Sequence, residues 1–237
     1  STEHAEISKH RLGIETTGAR SGGTIISSDG NFGLYPVLYL QYLFTYQYQI
    51  TPSLGIKTGI GQRIRFTDLY HEEHPFTFRR LGFTTNSHWE TVIPLQLSIR
   101  SPRSILHQRL FGHAQIGAEF AHNSVGWGWS HSDLFDIESR YEPNWTTTLS
   151  SSVGLQWMFR TGNLVNLSWY NSYRIHDTAY EVEGVVTSDE VSSERINFQY
   201  PKWLTGVQLA YVHTMGKKRK KEYTKYRTRK NAKNQLY

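Results

Sequence analysis

A histidine and a serine stand two positions apart at His122 and Ser124, and two acidic residues, Asp136 and Glu138, follow further along the chain. In a β-strand, residues two positions apart lie on the same face, so these two side chains would be neighbours. A histidine can take the proton of a serine hydroxyl and turn it into a nucleophile, while a carboxylate orients the imidazole. The spacing suits acyl hydrolysis, but a match this short is common, so we favour a chain without catalytic residues.

A second cluster, His71-Glu72-Glu73-His74, combines two imidazoles with two carboxylates. Both groups ligate zinc, but the cluster lacks the helical spacing of metalloprotease motifs. We therefore expect a solvated loop, and no bound metal or cofactor. The chain contains no cysteine, which excludes a thiol nucleophile, a disulfide scaffold and a cysteine-ligated zinc site.

The 237 residues must supply elements that position these groups, and composition restricts the choice. Aromatic residues make up 14% of the chain, which excludes a disordered protein. No run approaches the ~18 consecutive apolar residues of a membrane-spanning helix. The dominant pattern is instead an alternation of apolar and polar residues, which is the period of a β-strand. It recurs in eight segments: 12–16, 38–50, 54–66, 89–100, 110–120, 149–159, 165–174 and 203–211.

The connections between these segments alternate in length. Residues 51–53, 101–106 and 161–162 are short turns, whereas 18–33, 68–87, 121–144 and 177–201 are long and polar. Short turns at one end and long loops at the other are typical of an up-and-down membrane barrel. We therefore predict one barrel domain over residues 1–215, followed by a basic tail over residues 216–237.

Three features decide which face points outward. Most of the segments are long enough for the ~9–11 residues that a tilted strand needs to cross a bilayer. Aromatic residues occur on the apolar face near both strand ends, where they would form two girdles: Trp89 and Trp203 at the long-loop end, and Trp157, Phe159 and Tyr211 at the short-turn end. The polar face carries charges that can pair across a narrow lumen, Arg100 and Glu15 among them. We predict a lumen charge network of Lys57, Arg63, Arg65, Glu90, Glu119 and Arg174. The prediction is an all-β, eight-stranded antiparallel transmembrane barrel with a filled lumen, and a soluble lipocalin-like barrel is the alternative.

Two stretches carry a resemblance to a known family. Residues 91–100 (TVIPLQLSIR) and 110–117 (LFGHAQIG) resemble the central hairpin of small eight-stranded outer-membrane barrels of the Bacteroidota, with OmpA-like and PorT-like barrel domains. Residues 206–211 (GVQLAY) look like the signal that the barrel assembly machinery reads in a final strand. The resemblance implies a bacterial outer-membrane location among lipid and lipopolysaccharide, a removed signal peptide, and an amino terminus and tail in the periplasm.

The tail alone carries a charge of +9, while the remaining residues sum to −3. Its basic residues include Lys217, Lys218, Arg219, Lys220, Lys221, Arg227, Arg229 and Lys230. Such a segment can bind nucleic acid, but we expect none in the periplasm and predict an acidic protein partner or anionic lipid instead. A solvated tail without a partner is the alternative.

The long loops offer further candidate contacts. Trp127, Trp129 and Trp145 form an expected loop contact surface for protein, glycan or lipid, with packing onto the rim as the alternative. Asp177-Thr178-Ala179 matches the O-glycosylation sequon that the resemblance implies.

For function, the sequence favours a non-catalytic accessory or structural subunit of a larger outer-membrane assembly, such as secretion, barrel-assembly or uptake machinery. One alternative is a lipid A-modifying enzyme, because His122 and Ser124 loosely resemble the catalytic pair of the lipid A deacylases, which are also eight-stranded barrels. The other is a minor channel or ligand-binding barrel, which needs an open lumen.

Overall fold

A computed structural model describes residues 9–21, 24–28, 32–34, 37–67, 69–71, 86–105, 109–123, 126–131, 136–141, 144–175, 181–187, 194–199 and 202–215. These residues contain strands and turns but no helix, and hence no helix long and apolar enough to cross a membrane. The strands are β1 (His10–Ser21), β2 (Thr24–Ser28), β3 (Phe32–Leu34), β4 (Val37–Gln49), β5 (Leu54–Thr67), β6 (Leu69–His71), β7 (Asn86–Arg100), β8 (Leu110–Asn123), β9 (Gly126–His131), β10 (Asp136–Tyr141), β11 (Asn144–Met158), β12 (Leu164–Arg174), β13 (Glu181–Thr187), β14 (Glu194–Gln199) and β15 (Trp203–Thr214).

Eight long strands close into an antiparallel barrel in the order β1-β15-β12-β11-β8-β7-β5-β4. The first and last strands pair with each other over ten register positions, from Arg11 with Thr214 to Arg20 with Thr205. Closure leaves no exposed sheet edge, so every barrel strand has two neighbours for its backbone hydrogen bonds. The prediction of eight antiparallel barrel strands is confirmed.

The two ends of the barrel differ as the connection lengths predict. The β4–β5 turn is closed by a bond from the Ile50 amide to the Leu54 carbonyl at 2.9 Å, and the β11–β12 turn by a bond from Phe159 to Asn163 at 2.9 Å. The Met215 amide donates to the His10 carbonyl at 3.0 Å, which places both ends of the described barrel at this short-turn end. The long connections all lie at the other end.

The long connections contain more regular structure than the sequence predicted. Five short strands, contributed by three different connections, form a second sheet in the order β2-β14-β13-β10-β9. We call it the outer sheet. A separate pair, β3 with β6, joins two of the connections. The expectation of plain polar loops at 18–33, 68–87, 121–144 and 177–201 was therefore wrong in these segments. Strands of only three to seven residues show little periodicity, and their pairing partners are distant in sequence.

Inside the barrel, side chains alternate between lumen and outer surface along every strand. On β4, Tyr39, Gln41 and Leu43 are buried, whereas Tyr42 and Phe44 are exposed. Among the described residues, 27 buried residues are polar or charged and ten are apolar. This inverts the usual partition of a water-soluble core.

Inward-facing glycines let neighbouring strands approach closely. A β-carbon at Gly117 would lie 2.1 Å from the Leu95 carbonyl oxygen and 2.6 Å from the Gln96 Cα. By contrast, a β-carbon at Gly18, on the outer face, would meet only the Leu40 Cδ2 at 3.8 Å. Glycine at the inward positions therefore permits the tight curvature that an eight-stranded barrel needs.

Replacing Gly117 with alanine is expected to lower the free energy of unfolding by about 1–3 kcal/mol, because backbone of the facing strand must move. The matched control Gly18→Ala is expected to change it by less than about 0.5 kcal/mol. Urea unfolding in detergent micelles, followed by tryptophan fluorescence, measures both. Equal stability of the two variants would contradict the close-approach explanation.

Candidate functional site

The lumen holds a fully buried arginine, Arg63 on β5. Its Nε donates to Gln41 Oε1 at 2.9 Å, and its Nη1 donates to Glu90 Oε2 at 3.3 Å. Its Nη2 donates to Glu119 Oε2. The guanidinium also lies over the Tyr39 ring, 5.1 Å from the centroid. Each nitrogen of this buried cation thus has an acceptor, which is the condition for burying an arginine at tolerable cost.

Glu119 on β8 is the matching buried anion. Besides Arg63, it accepts from the Tyr170 hydroxyl at 3.1 and 3.2 Å and from Gln96 Nε2 at 3.3 Å. Gln96 in turn donates to Ser150 Oγ at 2.7 Å. These bonds join residues of five strands, β5, β7, β8, β11 and β12, so the network links a large part of the barrel wall.

A second ion pair lies nearer the short-turn end. Lys57 Nζ donates to Glu15 Oε2 at 2.6 Å and to Gln115 Oε1 at 2.7 Å. Glu15 also accepts from Gln208 Nε2 at 2.8 Å. Lys57 and Glu15 are 3% and 2% exposed, so water does not screen the pair.

The six residues predicted to form the lumen charge network all lie inside the barrel. Lys57, Arg63, Glu90 and Glu119 are paired as described, and Arg65 Nη2 lies 3.4 Å from Glu90 Oε2. Arg174, at the long-loop end of β12, is also buried. The structure also brings into the network neutral groups that the sequence analysis did not name, among them Gln41, Tyr39 and Tyr170. Their inward position could be read from the alternation, but their contacts depend on strand register, which alternation does not fix.

Apolar groups add to the filling at the long-loop end. Tyr39 and Tyr170 stack with their ring centroids 6.5 Å apart and belong to one buried cluster with Ala19 and Leu204. Leu43, Val92 and Ala121 form another. The lumen is therefore occupied by packed side chains at several levels, as expected for a barrel of eight strands.

The outer surface of the barrel is apolar over most of its height. Phe44 is 69% exposed, Val153 67% and Leu95 54%. An exposed apolar surface that encircles a protein is far larger than the few hundred Å² found on soluble monomers.

The five residues predicted to form the aromatic girdles are all exposed on this outer surface. Trp203 packs against Tyr173 with ring centroids 4.8 Å apart, and the Tyr211 hydroxyl accepts from Asn163 Nδ2 at 2.8 Å. Trp89, Trp157 and Phe159 are likewise exposed. His10 and Tyr46 add to the short-turn end, where the Tyr46 hydroxyl lies 2.6 Å from His10 Nδ1.

The spacing of the two girdles can be read from β11, which carries Trp145 near one end and Trp157 near the other. Twelve residues at ~3.3 Å each, on a strand tilted by ~40°, span roughly 30 Å along the barrel axis. This equals the ~30 Å hydrocarbon thickness of a bilayer.

Trp145 is the one member of the predicted loop contact surface whose side chain is described, and it does not lie in a loop. It is on β11, opposite His122 of β8, with ring centroids 4.7 Å apart. The expectation of a loop position was wrong because both strands run further toward the long-loop end than the apolar alternation indicated. Trp127 and Trp129 are on β9 of the outer sheet, opposite Arg140 and Glu138 of β10.

The residues of the alternative catalytic set lie on different elements. His122 is on barrel strand β8 and contacts Trp145, whereas Asp136 and Glu138 are on β10 of the outer sheet. Ser124 lies outside the described residues, as do residues 72–74, Asp177-Thr178-Ala179 and the tail over residues 216–237. Within the described part of the chain, no group of three or more His, Asp or Glu side chains is arranged to hold a metal ion.

The chain matches no protein-family model and no curated protein sequence. Among solved structures, it is similar to the outer membrane protein OprG from Pseudomonas aeruginosa, with 11% identity, 88% of this chain and 98% of that chain covered, and a TM-score of 0.47. A major outer membrane protein from Thermus thermophilus shares 11% identity over 86% of this chain and 98% of its own, with a TM-score of 0.45. The N-terminal β-barrel domain of Pseudomonas aeruginosa OprF shares 12% sequence identity over 86% of this chain and 97% of its own, with a TM-score of 0.40. The barrel assignment rests on the strand pairing itself.

The Arg63–Glu119 pair is expected to be strongly coupled in unfolding experiments. Arg63→Met and Glu119→Gln should each lower the free energy of unfolding by roughly 3 kcal/mol, because each leaves a buried partner poorly compensated. The double variant should lose at least about 1 kcal/mol less than the sum of the two. Arg103→Gln, an exposed charge at the short-turn end, is the control. Additive losses would contradict a direct buried pair.

Proposed function

We propose that this protein is a non-catalytic barrel of a bacterial outer membrane that serves as an accessory or structural subunit of a larger assembly. The observation that carries the proposal is the combination of a filled lumen with a folded outer sheet above it. The filled lumen argues against bulk solute transport, while the outer sheet provides a structured surface beyond the bilayer.

The membrane part of the proposal is supported by the reversed partition of side chains. Ion pairs and amides fill the interior, and apolar side chains between two aromatic girdles cover the exterior. A closed barrel satisfies all its backbone groups internally, which the hydrocarbon layer demands. A bilayer is the solvent in which such an exterior is stable.

The subunit part of the proposal is supported by the construction of the outer sheet. Three connections that are distant in sequence contribute strands to it, and its order begins with β2 and ends with β9. Strands at the two ends of a sheet order can accept a further strand from a partner. Trp127 and Trp129 lie on one of these terminal strands, β9.

The orientation that we propose is supported by the same architecture. Short turns of bacterial outer-membrane barrels face the periplasm and long loops face outward. On that basis the amino terminus and the basic tail face the periplasm, and the outer sheet faces the exterior. The tail would then meet acidic proteins or the anionic surface of the inner leaflet.

Extraction of the native protein in mild detergent, followed by native gel electrophoresis and mass spectrometry, tests the subunit role. We expect a complex larger than the monomer with a stoichiometric partner. Trp127→Ala/Trp129→Ala should reduce the recovered partner several-fold, and the matched control Trp145→Ala, on the barrel wall, should not.

A monomer with no stoichiometric partner, or equal recovery from all variants, would contradict the subunit role. A large, persistent conductance of the purified protein in planar bilayers would favour the channel alternative. Loss of an acyl chain from lipid A incubated with the protein would favour the enzyme alternative.

A further inference from the structure

Three basic side chains lie at the short-turn end of the lumen: Arg11 of β1, Arg100 of β7 and His113 of β8. Arg100 and His113 are register partners on one wall. Arg11 lies on the opposite wall, because β1 is three strands from β7 and four from β8 in the barrel order. Arg11 and His113 are each only 4% exposed.

The carboxylates of the described lumen are engaged at other levels. Glu15 pairs with Lys57, and Glu90 and Glu119 pair with Arg63 and Arg65. Within the described part of the chain, none lies at ion-pair distance from Arg11 or Arg100. Positive charge therefore accumulates at this end of the lumen.

Neutral groups satisfy these cations only in part. Arg100 Nη2 donates to the Pro52 carbonyl at 2.8 Å, and its guanidinium lies 4.8 Å from the Phe111 ring centroid. Arg11 Nη1 lies 3.2 Å from the Gln49 side-chain oxygen when that amide is oriented with its oxygen toward the arginine.

Buried donors remain in excess. Among the described residues, Arg11 Nε, Arg100 Nε and His113 Nδ1 are buried and have no hydrogen-bond partner. The Ser98 hydroxyl lies 3.2 Å from His113 Nε2. A hydroxyl that donates there leaves the imidazole proton on Nδ1, which then becomes a third unpaired donor. Buried donors of this kind require acceptors.

We propose that Arg11, Arg100 and His113 form a binding site for a small tetrahedral oxyanion, with inorganic phosphate as the representative ligand. The positive charges of Arg11 and Arg100 repel each other, and together with Lys57 they disfavour a charged His113 imidazole. An anion bound near them replaces this repulsion by attraction. Guanidinium groups match the oxygens of phosphate in geometry and charge. The dissolved anion is the expected source, since lipid headgroups lie outside the barrel wall. The site does not depend on the proposed subunit role.

The test is equilibrium dialysis of the full-length protein, folded in a phosphate-free maltoside detergent, against radiolabelled inorganic phosphate. We expect saturable binding of one phosphate per chain, competed by sulfate but not by an equal concentration of chloride. Arg11→Gln and His113→Gln should each weaken binding at least tenfold, and Arg11→Lys should restore part of it. Arg103→Gln, which removes an exposed charge at the same end, is the matched control.

Folding of each variant is checked by its heat-dependent migration in detergent gels, and the two glutamine variants provide independent tests should one fail to fold. Absence of saturable binding to the folded protein would overturn the proposal. Binding that Arg11→Gln and Arg103→Gln weaken equally would also overturn it, because general surface charge would then explain it. Phosphate binding that appears only after addition of phospholipid vesicles would assign the ligand to a headgroup and overturn the lumen site.

Discussion

The buried guanidinium of Arg63 on β5 contacts side chains of β4, β7 and β8, which satisfy its charge and its hydrogen-bond donors. Glu90 and Glu119 neutralise the guanidinium, Gln41 Oε1 accepts a hydrogen bond from its Nε, and the Tyr39 ring lies against its face. A charge buried this deeply is tolerated only with such compensation, and that compensation requires side chains from several strands at one level. The register of these strands is therefore coupled to this ion cluster.

The same constraint explains why the inner face of the barrel is polar and the outer face is apolar. Because polar groups satisfy one another inside, the exterior can be apolar between its girdles. Inward glycines such as Gly117 allow the curvature that brings strands that are not direct neighbours within hydrogen-bonding distance. Bonds such as Gln96 to Ser150 and Gln208 to Glu15 then join strands that are far apart in sequence. Strands that are joined by so many lumen hydrogen bonds can support a folded outer sheet, which suits the proposed role.

Much of the barrel could be predicted from the sequence, because a period of two along 11 to 15 residues has no other common explanation. That pattern identified the inward position of Arg63 and the outward position of Trp157. It could not provide the pairing of Arg63 with Glu119, which depends on register across three strands. The outer sheet escaped prediction because β9 and β10 are six residues long and β13 pairs with a strand from another connection. Trp145 was assigned to a loop because Asn144 to Thr148 lack apolar alternation, although backbone pairing with β8 continues through them.

The central claim, an apolar exterior facing lipid around a polar interior, can be measured with spin labels because the chain has no native cysteine. Single cysteines at Leu149, Ser151, Val153 and Leu155 on the outer face of β11, and at Ile105 in a turn, would carry nitroxides in reconstituted vesicles. Collision rates with oxygen and with a water-soluble nickel complex report depth. We predict that the oxygen-to-nickel ratio peaks near Ser151 and Val153 and is lowest at Ile105. A ratio at Val153 as low as that at Ile105 would place this face in water and contradict the account.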